Sequence, residues 1–92
     1  MRNNDLIKNF IYGEKSGKGS NLRIENNQLI NYYTCIAYHG KNEIVLNNKN
    51  YSSTTKRHQN FILRSGTVVT CFDDEYSFKA YIKEKYNETV PV

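Results

Sequence analysis

A chain of 92 residues and 10.8 kDa holds material for one hydrophobic core, not two. With 38% apolar residues, eight tyrosines and no tryptophan, that core is expected to be thin, which favours reliance on a partner, as a monomer or a homodimer. No apolar run approaches the roughly 18 residues of a membrane span, and MRNNDLIKNFIYG lacks the apolar stretch and cleavage site of a secretory leader, so the expectation is a cytoplasmic protein without membrane contact.

In chain order, residues 1–12 predict an amphipathic helix, because Leu6, Ile7, Phe10 and Ile11 share one helical face and Asn4 or Asp5 can serve as N-cap. Residues 13–21 interleave Gly13, Gly17 and Gly19 with Lys15 and Lys18 and predict a flexible loop. The α+β core is expected over 22–86. It opens with the strand LRIE and a turn at Asn26 and Asn27. One long central strand, QLINYYTCIAY, follows, with Ile30, Tyr32, Thr34, Ile36 and Tyr38 on one face and Leu29, Tyr33, Cys35 and Ala37 on the other. A turn over 39–42 leads into EIVLN. The Ser and Thr cluster after Tyr51 then starts a helix that Gly66 stops, with His58, Phe61 and Ile62 toward the sheet. TVVTCF is a further strand, and Asp73 or Asp74 caps a last helix striped by Phe78, Tyr81, Ile82 and Tyr86. Residues 87–92 are expected to fray. The fold class is therefore α+β, a small antiparallel sheet of three to four strands packed with two to three short helices, in a single domain over 1–92.

Chemistry is sparse. Cys35 and Cys71 lie far apart in strand-like surroundings without CxxC spacing, so both are expected to be buried, reduced thiols and no metal site is expected. GEKSGKGS lacks the GxxxxGK[ST] pattern and a preceding strand, which excludes a nucleotide-cradling loop. His39 and His58 are the only histidines, and no nucleophile, base and orienting group converge in the sequence. The expectation is a protein with no catalytic residues, no cofactor and no enzyme activity.

Charge is placed more tellingly. Residues 1–66 carry ten Lys or Arg against four acids, and between Glu43 and Asp73 there is no acid at all. That window holds Lys49, Lys56, Arg57 and Arg64. Its helix start, with Ser53, Thr54 and Thr55 beside Lys56, Arg57 and His58, joins free backbone N–H groups to hydroxyls and cations, the material of a phosphate or carboxylate contact. A well-capped helix with a solvated basic turn would show the same residues. Tyr38 and Tyr51 stand near this window and suit base stacking or anchoring of a protein interface, whereas Tyr33 and Tyr81 are assigned to the core.

The block NYYTCIAYHGKNEIVLNNKNYSSTTKRHQNFILR, through Tyr33, Thr34, Ala37, Tyr51, Ser52, Thr54, Thr55 and His58, resembles a module of small phage and mobile-element proteins of low-GC Gram-positive bacteria, some found near anti-CRISPR genes. The resemblance covers about the middle third of the chain and implies a phage-encoded accessory protein, not a reaction. The Asn, Lys, Ile and Tyr content, favoured by A/T-rich codons, agrees with such a source.

Together these readings give a phage-encoded accessory binding protein, an anti-CRISPR-like inhibitor that sterically occupies a nucleic-acid or protein surface of a host defence complex. Its partner would be a host defence protein or ribonucleoprotein, and its location the cytoplasm of the bacterial host. The alternative is a small regulator that binds nucleic acid directly through the basic face, and the third is a binder of an anionic signalling nucleotide.

Overall fold

The computed structural model describes residues 1–90; the last two residues of the expected frayed tail lie outside the described residues. Helix α1 (Asn3–Ile11) precedes five strands, β1 (Ser16–Lys18), β2 (Leu22–Glu25), β3 (Gln28–Asn31), β4 (Thr34–His39) and β5 (Ile44–Asn47). Helix α2 (Ser53–Leu63), strand β6 (Val69–Phe72) and helix α3 (Glu75–Tyr86) complete the chain. The strands form one sheet in chain order, antiparallel from β1 to β5, with β6 added parallel to β5 after the α2 crossover.

The fold is α+β, but a sheet of six mixed strands replaces the expected three to four antiparallel ones. Three local causes account for the difference. Ser16–Lys18, inside the expected flexible loop, pairs with Arg23–Glu25 as β1. The expected single strand QLINYYTCIAY is broken by Tyr32, whose φ of 57° turns the chain back after Asn31. Its apolar alternation continues through the turn, so periodicity alone hid the reversal. Finally, α2 carries the chain back across the sheet, which makes β6 parallel to β5. The Asn26–Asn27 turn is as expected: both residues are left-handed, with φ of 51° and 66°, the backbone of a two-residue hairpin that Asn tolerates.

Helices cover both faces. Leu6, Ile7 and Phe10 of α1 and Ile62 of α2 pack with Leu22, Ile24, Leu29, Ile36, Ala37, Ile44 and Leu46. On the opposite face Phe78 and Ile82 of α3 pack with Ile30, Cys35, Tyr38 and Val45, and Val90 returns to this layer, so the expected fraying does not extend to its side chain. Ile36 and Ala37 are neighbours yet both belong to the first layer, because a bulge sets Cys35 opposite Ile30 and Ala37 opposite Leu29. One strand therefore feeds both cores with little polar interruption.

The helix caps follow local chemistry. Ser52 Oγ accepts the Thr55 N–H at 3.2 Å, and Asp74 accepts the Ser77 N–H at 2.8 Å. At α1 the N-cap position is Arg2, without a side-chain cap, in place of Asn4 or Asp5; Asn3 Oδ1 instead accepts the Ser20 N–H at 3.2 Å. Cys35 is buried, and burial pushes its thiol up to about 12, but Cys71 is exposed, contrary to expectation. Tyr33 is likewise outside the core.

Glu43, in the β4–β5 turn, fastens one end of the molecule. Its side chain is 7% exposed and accepts hydrogen bonds from Lys85 Nζ (2.7 Å), Tyr86 OH (2.6 Å), Tyr81 OH (2.9 Å) and Thr70 Oγ1. Burial alone would raise its pKa, but these donors outweigh it and bring the carboxyl down to about 2. A Cβ on Gly40 would strike the Tyr86 hydroxyl, so glycine is required there for α3 to reach the turn.

Candidate functional site

The antiparallel run and the α2 crossover place four connections at the same end of the sheet: β1–β2, β3–β4, β5–α2 and β6–α3. Side-chain bonds tie all three helix starts to this end. Asn3 of α1 holds the β1–β2 turn. Asn31 Nδ2, at the end of β3, donates to Thr55 Oγ1 of α2 at 2.6 Å, and Tyr51 OH in the β5–α2 loop donates to Glu75 of α3 at 3.2 Å. Three helix starts and their positive dipole ends therefore converge where the parallel strands β5 and β6 also end, with Ser52 and Asp74 capping two of them.

On this end Tyr32 and Tyr33 form a two-residue turn and are 61% and 83% exposed. A left-handed backbone costs a bulky residue such as Tyr32 about 1 kcal/mol, strain that the pairing of β3 with β4 sustains. Arg23 Nη1 donates to the Tyr32 carbonyl at 2.7 Å while its Nε pairs with Glu25 at 2.8 Å, which fixes a guanidinium beside the aromatic tip. Lys18, Gly19, Ser20, Asn21 and Leu22 complete a shallow cavity of about 230 Å³ with Arg23 and the two tyrosines.

A polar seam orders the neighbouring β5–α2 loop. Buried Asn47 donates to the Cys35 carbonyl (3.2 Å) and to Tyr51 OH (2.9 Å), and buried Gln59 donates to the carbonyls of Asn47 (2.8 Å) and Lys49 (2.9 Å). The Lys49 ammonium sits 5.3 Å from the Tyr51 ring centre, and Lys56 Nζ donates to Asn48 at 3.3 Å.

The ten residues expected to make contacts fall into distinct places. Lys49, Ser53 and Thr54 are exposed and Lys56 half-buried at the helix-start end, and Tyr51 is half-buried in the seam. Arg57 and Arg64 are exposed along α2 and line a groove of about 300 Å³ with Asn60, Phe61 and Ser65, with Arg64 at the far end of the helix. Tyr38, Thr55 and His58 are interior. Tyr38 packs 5.3 Å from the Tyr86 ring beneath α3, Thr55 is held by Asn31 and Ser52, and burial pushes the His58 imidazole pKa down. These three have no surface to offer a partner in this fold.

The sequence reading did not place Lys18, Arg23, Tyr32 and Tyr33 together. Their signal was the left-handed turn, which an aromatic pair within an alternating strand conceals. Cys71 is exposed, and partial desolvation together with the neighbouring Asp73 carboxylate raises its thiol pKa, which leaves less thiolate at neutral pH. Glu43 spends its carboxylate on four donors. Among the described residues no three His, Cys, Asp or Glu side chains gather as a metal site requires, and no helix is long and apolar enough to cross a membrane.

Architecture and surface define a class: an α+β domain with helices on both faces of a six-stranded mixed sheet and an aromatic, basic end. The chain belongs to a family of unknown function, DUF8033, whose model matches residues 4–77 and so spans α1, the whole sheet, α2 and the first residues of α3. No curated protein and no solved structure matches it.

Proposed function

We propose that the protein is an accessory binding protein without catalysis, and that its helix-start end takes a single strand of nucleic acid. The observation that carries this reading is the exposed Tyr32–Tyr33 pair, held in a strained turn and flanked by Lys18 and Arg23. Tyrosine rings stack on any base, and a few fixed cations track the phosphates; that combination suits a strand with unpaired bases better than a duplex. Lys49 and Lys56 extend the cationic track along the same end toward α2, and the acids Asp73, Asp74 and Glu75 at the start of α3 bound it on the other side. Occupying a strand or its channel is also how a small accessory protein would block a larger machine.

A second reading keeps the surface and changes the partner. Exposed tyrosines beside arginine are the usual anchors of protein interfaces, and the resemblance to phage modules favours a host defence protein or ribonucleoprotein as the target of an anti-CRISPR-like inhibitor.

Fluorescence anisotropy with a labelled single strand of about twelve nucleotides separates the two. With four cations on phosphates, the log of affinity against the log of salt concentration should fall with a slope near −3, and Lys49→Ala should make it shallower by about 0.7. Lack of saturable binding at low salt would remove the nucleic-acid reading, and a nuclease-resistant protein partner captured by the same surface would put the inhibitor in its place.

A further inference from the structure

The two borders of the sheet are built differently. β1 has three residues, contains Gly17 and is framed by Lys15 and Lys18, the features that discourage a further strand from adding. β6 has none of them: the chain from Ser65 to Phe72 carries no charge and no proline, and Val68 is 66% exposed. The carbonyls of Val68 and Phe72 accept from Ile44 and Asn48 on the β5 side, so by strand alternation the N–H and C=O groups of Val69 and Cys71 turn to the open border. Cys71 is exposed on that border, and Leu63, before the connection to β6, is 43% exposed.

We propose that β6 is the seam of a symmetric homodimer in which two copies pair β6 to β6 antiparallel, centred on Thr70. That register sets Val69 opposite Cys71 of the second copy, so both outward-turned residues exchange their backbone bonds, and Val68 opposite Phe72. Asp73 meets Thr67, so no like charges face each other across the seam. A second copy satisfies all of this at once because the border is self-complementary, as a two-fold interface demands. The axis stands perpendicular to the sheet, so both α2 helices lie on one face and join two acid-free stretches bearing Lys56, Arg57 and Arg64 into one basic surface.

The same register places the two Cys71 residues on a diagonal, about 7–8 Å apart at Cα, too far for a relaxed disulfide but within reach of a short bismaleimide. Under reducing conditions the full chain should sediment at twice its 10.8 kDa, and the bismaleimide should link it covalently. Cys71→Ser should abolish the link, since Cys35 is buried. Cys71→Lys should return the protein to monomer with its circular dichroism unchanged; Val68→Lys is the second variant should the first fold poorly. A monomeric wild type at several hundred micromolar, or a dimer indifferent to both lysines, overturns the proposal.

Discussion

Glu43→Gln is expected to lower the stability of the fold by about 3 kcal/mol, because every partner of the carboxylate is a donor. A glutamine of the same size removes the countercharge of Lys85, which can only donate, and turns an NH₂ group into a cluster whose Thr70, Tyr81 and Tyr86 hydroxyls must reverse to accept it. The loss reaches far along the chain, since one carboxylate ties the β4–β5 turn to β6 and to α3. For a domain of this size the melting temperature should drop by more than about 10 °C. The pH profile identifies the cause. The folded carboxyl is held at about 2, below its ordinary 4.5, so its contribution is complete above 4.5 and is lost as pH falls from there toward 2. The stability gap between wild type and Glu43→Gln should therefore be constant near neutrality and close on the acid side. A gap that persists at pH 2 would mean that the glutamine harms packing, not the charge network.

The second large effect separates stability from binding. Tyr33→Ala removes a ring that is 83% exposed, so it should leave the melting temperature within about 2 °C of wild type while weakening a single strand about tenfold, the lower part of the 1–3 kcal/mol that one stacked base contributes. Tyr32→Gly should weaken binding comparably and yet raise stability by up to about 1 kcal/mol, because glycine accepts a φ of 57° without strain. Opposite signs on the two axes are what a residue kept for contact shows. Were Tyr32→Gly to lower both, the ring would be supporting the turn and the strain would have no functional meaning.

Much of the fold is legible in the sequence. The three helices announce themselves through spacing, and two of them through caps: Ser52 and Asp74 cap as hydroxyl and carboxylate residues should, and Phe78 and Ile82 face the core as the α3 stripe requires. The Asn26–Asn27 turn is equally plain, because asparagine is an ordinary left-handed residue. The Tyr32 turn is not, since nothing local in an aromatic pair signals reversal; pairing of β3 with β4 imposes it. β1 escapes notice because three residues with a central glycine have no propensity of their own and are held by β2. Interior placement of Tyr38 follows from the bulge in β4, which periodicity does not fix, whereas His58 is interior beside Ile62 as the spacing of α2 predicts. Of the proposed surface, the sequence shows the cations near the start of α2, but the end that gathers Lys18, Arg23, Tyr32 and Tyr33 exists only once β1 to β4 are paired.

The most direct measurement is a titration of isotope-labelled protein with a short single-stranded oligonucleotide, followed by backbone amide NMR shifts. The account expects fast, saturable shifts concentrated at residues 18–23, 31–34 and 48–56, the helix-start end, with residues 40–43 and the end of α3 unmoved. Shifts centred on 40–43, or none at millimolar oligonucleotide, would contradict it.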